Sequence, residues 1–339
     1  MKIERPMEER NRELKKVIIG VDLGGTKVIA CVLQIDKKFK ILSKAKKQTN
    51  AWEGKEEVIN RIENTIRDAT DKADIPLKKV EAIGVGVPGA VDVASGNISM
   101  ASNLGWTNVN LKKELEKRFS LPVFLNNDVN LGTLAEQIIG AAKNAQCVVG
   151  VYWGTGIGGG IVINGEIVQG HSSSAGEIGH LIVAYNGKQC NCGRFGCLES
   201  YAAKWSLTEN VFNRIKNGEK SLIKFKGDNP REEILKSSPI KKAYLANDKV
   251  LKEELMISVE YFALGLANVV NLINPDIIVI GGGIIESMEK ELMPLITKAL
   301  DKHKFPSSTY KLKAAELADY SVLAGAAYFA LQQKSLKEK

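Results

Sequence analysis

The chain has 339 residues, 44% apolar and 25% charged; that balance fills a sizeable core and excludes disorder, collagen and coiled coil as the main architecture, and the length predicts two domains. Lys and Arg number 47 against 39 Asp and Glu, a net charge of +8, but the two signs are mixed along the chain, so the excess does not mark a nucleic-acid face. No run of about 18 apolar residues predicts a membrane span and no apolar leader opens the sequence, so a cytoplasmic protein with neither membrane nor nucleic-acid partner is expected.

Residues 17–21 (VIIGV) and 28–33 are predicted strands around Asp22-Leu23-Gly24-Gly25-Thr26-Lys27, a hairpin whose tight turn needs glycine. Gly24 and Gly25 let backbone N–H groups approach phosphate oxygens, and Thr26 adds a hydroxyl. Asp22 stands where it can hold a hydrated Mg²⁺, and Lys27 offers a cation. A plain hairpin with an acidic cap is the alternative. Residues 56–69 and 111–119 carry apolar side chains at helical spacing, and between them strand 82–87 runs into Pro88-Gly89. In the loop 101–106, Asn103 is a candidate contact for hydroxyls, while Trp106 either stacks on a ring or joins the core.

Strand 121–124 leads into Leu125-Asn126-Asn127-Asp128-Val129-Asn130. Amides and a carboxylate at a strand end are costly to bury unless hydrogen-bonded, and they suit a hydroxyl-rich ligand. Asp128 is the candidate general base for a phosphoryl acceptor; capping the helix predicted over 131–139 is its other reading.

Residues 147–151 (CVVGV) enter a second glycine turn, Gly154-Thr155-Gly156-Ile157-Gly158-Gly159-Gly160, followed by strand 161–163. At an offset of 130 positions Gly20 falls on Gly150, Val21 on Val151 and Gly24 on Gly154. This predicts two related α/β halves facing one another across a cleft, unless so short a match of common residues is chance. The loop is neither a dinucleotide fingerprint nor a Walker loop, since it precedes a strand and lacks Gly-Lys-Thr/Ser. Two such hairpins can hold a nucleotide triphosphate from both sides.

Next come His180 and the thiols of Cys190, Cys192 and Cys197, an imidazole and three thiolates that suit tetrahedral Zn²⁺. With all four positions taken by protein the metal is structural. Glu177 and Glu199 flank the cluster, either as acceptors for vicinal sugar hydroxyls or as caps and surface charge; the free ring nitrogen of His180 can face the same ligand. Cys31 and Cys147 are expected core thiols. Residues 206–248 are charge-rich and predict a peripheral helical excursion, 253–272 a long apolar helix, 321–333 a last helix and 334–339 a frayed tail. Gly281-Gly282-Gly283 follows a strand and either receives adenine or ribose or makes a structural turn.

The chain resembles the ROK family of sugar kinases and repressors, and its glucokinase-like members above all, through DLGGTK (22–27), GVPGAVD (86–92), NLGW (103–106), LNNDVN (125–130), GTGIGGG (154–160), AGEIGH (175–180) and CNCGRFGCLESYA (190–202). The resemblance implies an actin-like ATPase (ribonuclease H-like) α/β fold of two domains, 17–125 with the C-terminal helix 318–333 packed back on it, and 126–317 with the zinc loop. It implies ATP with Mg²⁺, a structural Zn²⁺, a homodimer, and a hexose acceptor, glucose first. Fructose, mannose and N-acetylhexosamines are the alternatives, and so is a sugar sensor without turnover. By position, Asp128 is the implied base; Asn103, Asn127, Glu177, His180 and Glu199 join it around the sugar. Asp22, Gly24, Gly25, Thr26 and Lys27 form the first phosphate element, and Gly154, Thr155 and Gly156 the second. His180, Cys190, Cys192 and Cys197 form the zinc site. Two stretches depart from the family pattern: Asn130-Leu131-Gly132-Thr133-Leu134 after the base, and SYAAKWSLTENVFNRI (200–215). Residues 1–16 allow one helix at most, too little for the repressors' helix-turn-helix domain.

Overall fold

The computed structural model describes residues 16–35 and 39–338; the short segment 1–16 lies outside these apart from Lys16. The chain divides into two units, residues 1–135 with 319–339, and residues 136–318.

In the first unit the strands are β1 (Lys16–Leu23), β2 (Lys27–Ile35), β3 (Phe39–Gln48), β4 (Val80–Val87) and β8 (Val123–Asn127), in the order β3-β2-β1-β4-β8. Between β4 and β8 lie β5 (Ala90–Asp92), β6 (Asn97–Ala101) and β7 (Trp106–Asn110), a small antiparallel sheet. Helix α1 (Lys55–Ala73) buries Val58, Ile59, Ile62 and Ile66, the predicted face, and α2 (Leu111–Phe119) buries Leu111, Leu115 and Phe119. Trp106 is only 3% exposed and packs in this core, which decides between its two readings. Helix α3 (Asp128–Ile139) follows β8 without a break, and the division between units falls inside it rather than before Asn126.

The second unit repeats the plan. Strands β9 (Cys147–Trp153), β10 (Ile157–Ile163), β11 (Glu166–Ile167), β12 (Ile277–Gly281) and β13 (Lys311–Ala314) are ordered β11-β10-β9-β12-β13. In both sheets the first three strands pair antiparallel and the last two join in parallel. Gly20 and Gly150 occupy the same place in the two hairpins, paired with Cys31 and Gly160. The offset of 130 positions therefore marks a shared topology.

Helices α4 (Glu199–Ala202), α5 (Lys204–Lys216), α6 (Ser237–Leu245), α7 (Lys249–Ile273) and α8 (Gly283–His303) complete this unit. The charge-rich stretch is not peripheral: Leu207, Val211, Ile223, Leu235 and Ile240 belong to the same buried cluster as Val149, Phe262 and Ile280. Its charges face out while apolar residues spaced too irregularly for one helix face in. Helix α7 is long and apolar enough to cross a membrane by length and composition, but half of that window is buried, with Phe262 stacked on Trp153 at 4.3 Å. It is the core helix of the unit.

The chain returns to the first unit as α9 (Ser321–Lys337), which packs on β1 and β4. Backbone meets backbone here: a Cβ on Gly84 would lie 1.9 Å from the Ala326 carbonyl oxygen. We expect Gly84→Ala to cost about 1–3 kcal/mol of stability, read as a lowered thermal midpoint, because the helix must back away from the sheet. The predicted frayed tail is helical to Lys337, held where Lys334 pairs with Glu81 on β4.

Candidate functional site

In the first unit the turn after β1 is closed by a hydrogen bond from the Gly24 N–H to the Lys27 carbonyl at 2.9 Å. Thr49 clamps it from outside: its N–H donates to the Thr26 carbonyl at 2.8 Å and its hydroxyl to the Gly24 carbonyl at 2.6 Å. The Thr26 side chain is exposed. The turn rests on Asn103, whose Cβ would be 3.0 Å from a Cβ on Gly25, so two distant motifs share one surface. Asn103 is exposed in a single 3-10 turn, and its amide has no partner among the described residues. Lys27 Nζ lies 3.4 Å from Asp319, just ahead of α9, in a contact open to solvent.

Three asparagines fix the start of α3. Asn127 Oδ1 accepts from the N–H groups of Val129 and Asn130, at 2.9 and 3.3 Å, and its Nδ2 donates to the Gly89 carbonyl at 3.1 Å. Asn126, buried, accepts from the Asn127 N–H and from Asn130 Nδ2. Asn130, in the stretch that departs from the family pattern, thus braces the loop. The cap of α3 is Asn127. Asp128 accepts from the Val129 N–H through one oxygen, at 2.9 Å, and its own backbone N–H also favours the carboxylate.

Burial pushes the Asp128 carboxyl up to about 6, against the backbone N–H groups that favour its anion. Asp22 is pushed to about 7, first by burial and then by the Asp128 charge, with Lys27 opposing. Asp128 and Asp319 add negative charge at Asp22, with Lys27 and Lys44 opposing, and three carboxylates against two lysines fit a divalent cation. The sign for stability follows. Both groups hold protons more tightly folded than unfolded, so the folded state loses stability as pH rises from about 4 through 7. A loss of chemistry accompanies the opposite direction: kcat/KM should fall tenfold per pH unit below about 6, as Asp128 takes its proton, in a pH–rate profile at saturating Mg²⁺.

In the second unit the turn from Gly154 to Ile157 is held by the start of α5. The Gly154 N–H donates to the Gly156 carbonyl at 2.9 Å; Lys204 and Trp205 donate their N–H groups to the carbonyls of Gly154 and Thr155, at 3.1 and 3.3 Å. Thr155 is exposed, as Thr26 is. Glu199 Oε2 accepts from the Ile157 N–H at 2.9 Å and would lie 2.5 Å from a Cβ on Gly156, while Oε1 accepts from Trp205 Nε1 at 3.4 Å. The carboxylate expected at a sugar therefore also braces the glycine turn. Sequence spacing gives no sign of that, because the two lie on separate strand and helix ends.

The ligand atoms of His180, Cys190, Cys192 and Cys197 lie within 4.8 Å of one another. His180 Nδ1 is 3.8 Å from Cys190 Sγ, and Cys192 Sγ is 3.7 Å from Cys197 Sγ. A tetrahedron with Zn–S bonds of about 2.3 Å has edges of about 3.8 Å, so the donor set fits zinc. Nδ1 faces the cluster, which leaves Nε2 as the free ring nitrogen. The loop closes through the Cys190 N–H to Arg194 carbonyl and Gly193 N–H to Cys190 carbonyl bonds, at 2.8 and 2.9 Å. Gly196, at φ 80°, passes so near the Ala184 carbonyl that a Cβ would meet its oxygen at 1.8 Å. Glu177 precedes the 3-10 turn Ile178–His180, exposed and making no side-chain cap. At the end of β12, Gly282 has φ 90° and abuts the backbone of Trp153; Gly281 lies against the Tyr152 ring.

The ROK family model matches residues 18–333. The chain belongs to the ROK family. A glucokinase from Thermotoga maritima is 35% identical over 92% of this chain and 96% of its own length. The crystal structure of a ROK family glucokinase from Streptomyces griseus in complex with glucose and AMPPNP superposes with a TM-score of 0.77 and 29% identity, over 93% of this chain and 99% of that one. A xylose repressor from Caldicellulosiruptor bescii is 30% identical over 91% of this chain and 76% of its own length. This ROK chain thus has relatives named for catalysis and for repression, and the α/β fold with two mixed sheets is that of the family's kinases.

Proposed function

We propose that the chain transfers the γ-phosphoryl group of ATP to the 6-hydroxyl of a hexose, with glucose the preferred acceptor. It is an ATP-dependent sugar kinase. The observation that carries the reading is Asp128: Asn127 caps α3, so the buried carboxylate beside it, with a raised pKa, is not needed for the cap. A base near neutrality aligns the acceptor hydroxyl and takes its proton as the new P–O bond forms.

Asn103, exposed and without a partner among the described residues, supplies hydrogen bonds to sugar hydroxyls, a role that Glu177 and His180 Nε2 share. Asn127 and Glu199 act there as well, each with part of its bonding capacity already committed to its own loop. The N–H groups at Gly24–Thr26 and Gly154–Gly156 hold phosphate oxygens, and Gly281 and Gly282 admit the nucleoside. Mg²⁺, held through water by Asp22, would neutralise charge on the phosphates. The shared strand order supports an actin-like, ribonuclease H-like ancestry for the two units, with the last helix belonging to the first. A homodimer with one zinc per chain completes the proposal.

A coupled ADP-release assay over glucose, fructose, mannose, N-acetylglucosamine and N-acetylmannosamine tests it. Glucose should give the largest kcat/KM. A larger value for another sugar moves the substrate; binding of sugar with no ADP released overturns the kinase.

A further inference from the structure

Lys204 opens α5 inside the stretch that departs from the family pattern. Its backbone N–H is tied to the Gly154 carbonyl at 3.1 Å, so its place beside the second glycine turn is fixed. Its side chain runs toward the other glycine turn of the same unit. A Cβ on Gly283 would lie 3.8 Å from Lys204 Nζ and 3.3 Å from Ser237 Oγ. The missing side chain of Gly283 thus leaves a gap lined by an ammonium and a hydroxyl. Lys204 is half-buried, and among the described residues no carboxylate lies within ion-pair distance of its Nζ. Burial lowers its pKa, and Glu286, one turn into α8, only partly opposes this. A half-buried ammonium with no ion-pair partner is favoured when an anion completes it.

We propose that Lys204 is a nucleotide-binding residue, which places its ammonium on a phosphate of the nucleoside di- or triphosphate, with Ser237 donating beside it. The assignment rests on the kinase reading and adds to it a cation from the second unit. The position suits such a role because one residue is anchored to the Gly154 turn by its backbone and reaches the Gly283 turn by its side chain. Lys27, the cation first expected at the phosphates, belongs to the first unit.

Calorimetric titration of ADP and of adenosine into the full chain and its variants Lys204→Met, Lys204→Gln and Lys204→Arg tests the proposal. Loss of the ammonium should weaken ADP binding about tenfold in K204M and K204Q, with adenosine affinity within twofold of the parent and most ADP affinity kept in K204R. The salt dependence of ADP binding should become shallower in the neutral variants. Equal ADP affinity in parent and K204Q overturns the role of Lys204 and leaves the kinase standing. Parallel loss of ADP and adenosine also overturns it, since that marks a structural role. A parent chain that binds no ADP overturns both readings together.

Discussion

Asp128→Asn should lower turnover by at least about 10²-fold while sugar binding survives, because the amide keeps the shape of the carboxylate and cannot take a proton. The hydrogen bond from the Val129 N–H can still be accepted by the amide oxygen, and the cap of α3 does not depend on position 128 at all. The variant should therefore fold. It should also be more stable than the parent at pH 8. The parent carries an anion there that burial disfavours, with a pKa of about 6 in place of about 4. Removing that charge is worth about 1–3 kcal/mol at pH 8 and nothing at pH 3, where both proteins are neutral at this site. Opposite movements of turnover and melting temperature are the signature of a residue kept for chemistry against stability. Near-parental turnover would remove Asp128 from the role of base.

The second large effect is expected at the thiol cluster. Metal analysis of the purified chain should give about one zinc per chain, and Cys192→Ser should lose it. A metal that holds four donors from 180 to 197 fixes a loop with little regular structure, so its loss should cost several kcal/mol, seen as a lower melting temperature. The consequence should not stop at the sugar. Glu199 follows Cys197 closely and braces the Gly154–Ile157 turn through the Ile157 N–H. The zinc-free protein should therefore show a raised KM for ATP as well as for sugar. A chelator-treated protein with no metal and unchanged KM values would defeat the brace.

Local features were legible in the sequence wherever chemistry and spacing coincide. The DLGGT hairpin, the cluster of His180, Cys190, Cys192 and Cys197 and the α1 face are each written in one short segment, and the structure forms all three. The correspondence of Gly20 with Gly150 was visible too, but not the common order of the two sheets. That order depends on β4 and β8, β12 and β13, whose parallel partners are distant in sequence and carry no shared motif. The choice of cap for α3 was equally hidden. Asn127 and Asp128 are both good caps, and the outcome rests on Asn126 and Gly89 holding Asn127 in place. The burial of residues 206–248 was masked by their charges, since Ile223 and Leu235 sit in irregular chain where no period announces them. Glu199 and Lys204 illustrate the remaining gap: a residue's chemical type is legible, but which loop it braces is decided by tertiary contact.

The central claim is a chemical transfer, and its product states it most directly. Incubation of the chain with ATP, Mg²⁺ and glucose, followed by phosphorus NMR, should show one glucose 6-phosphate formed for each ADP, with no ADP when glucose is left out. ADP formed at the same rate without sugar, or sugar bound with its phosphorus spectrum unchanged, would contradict the account.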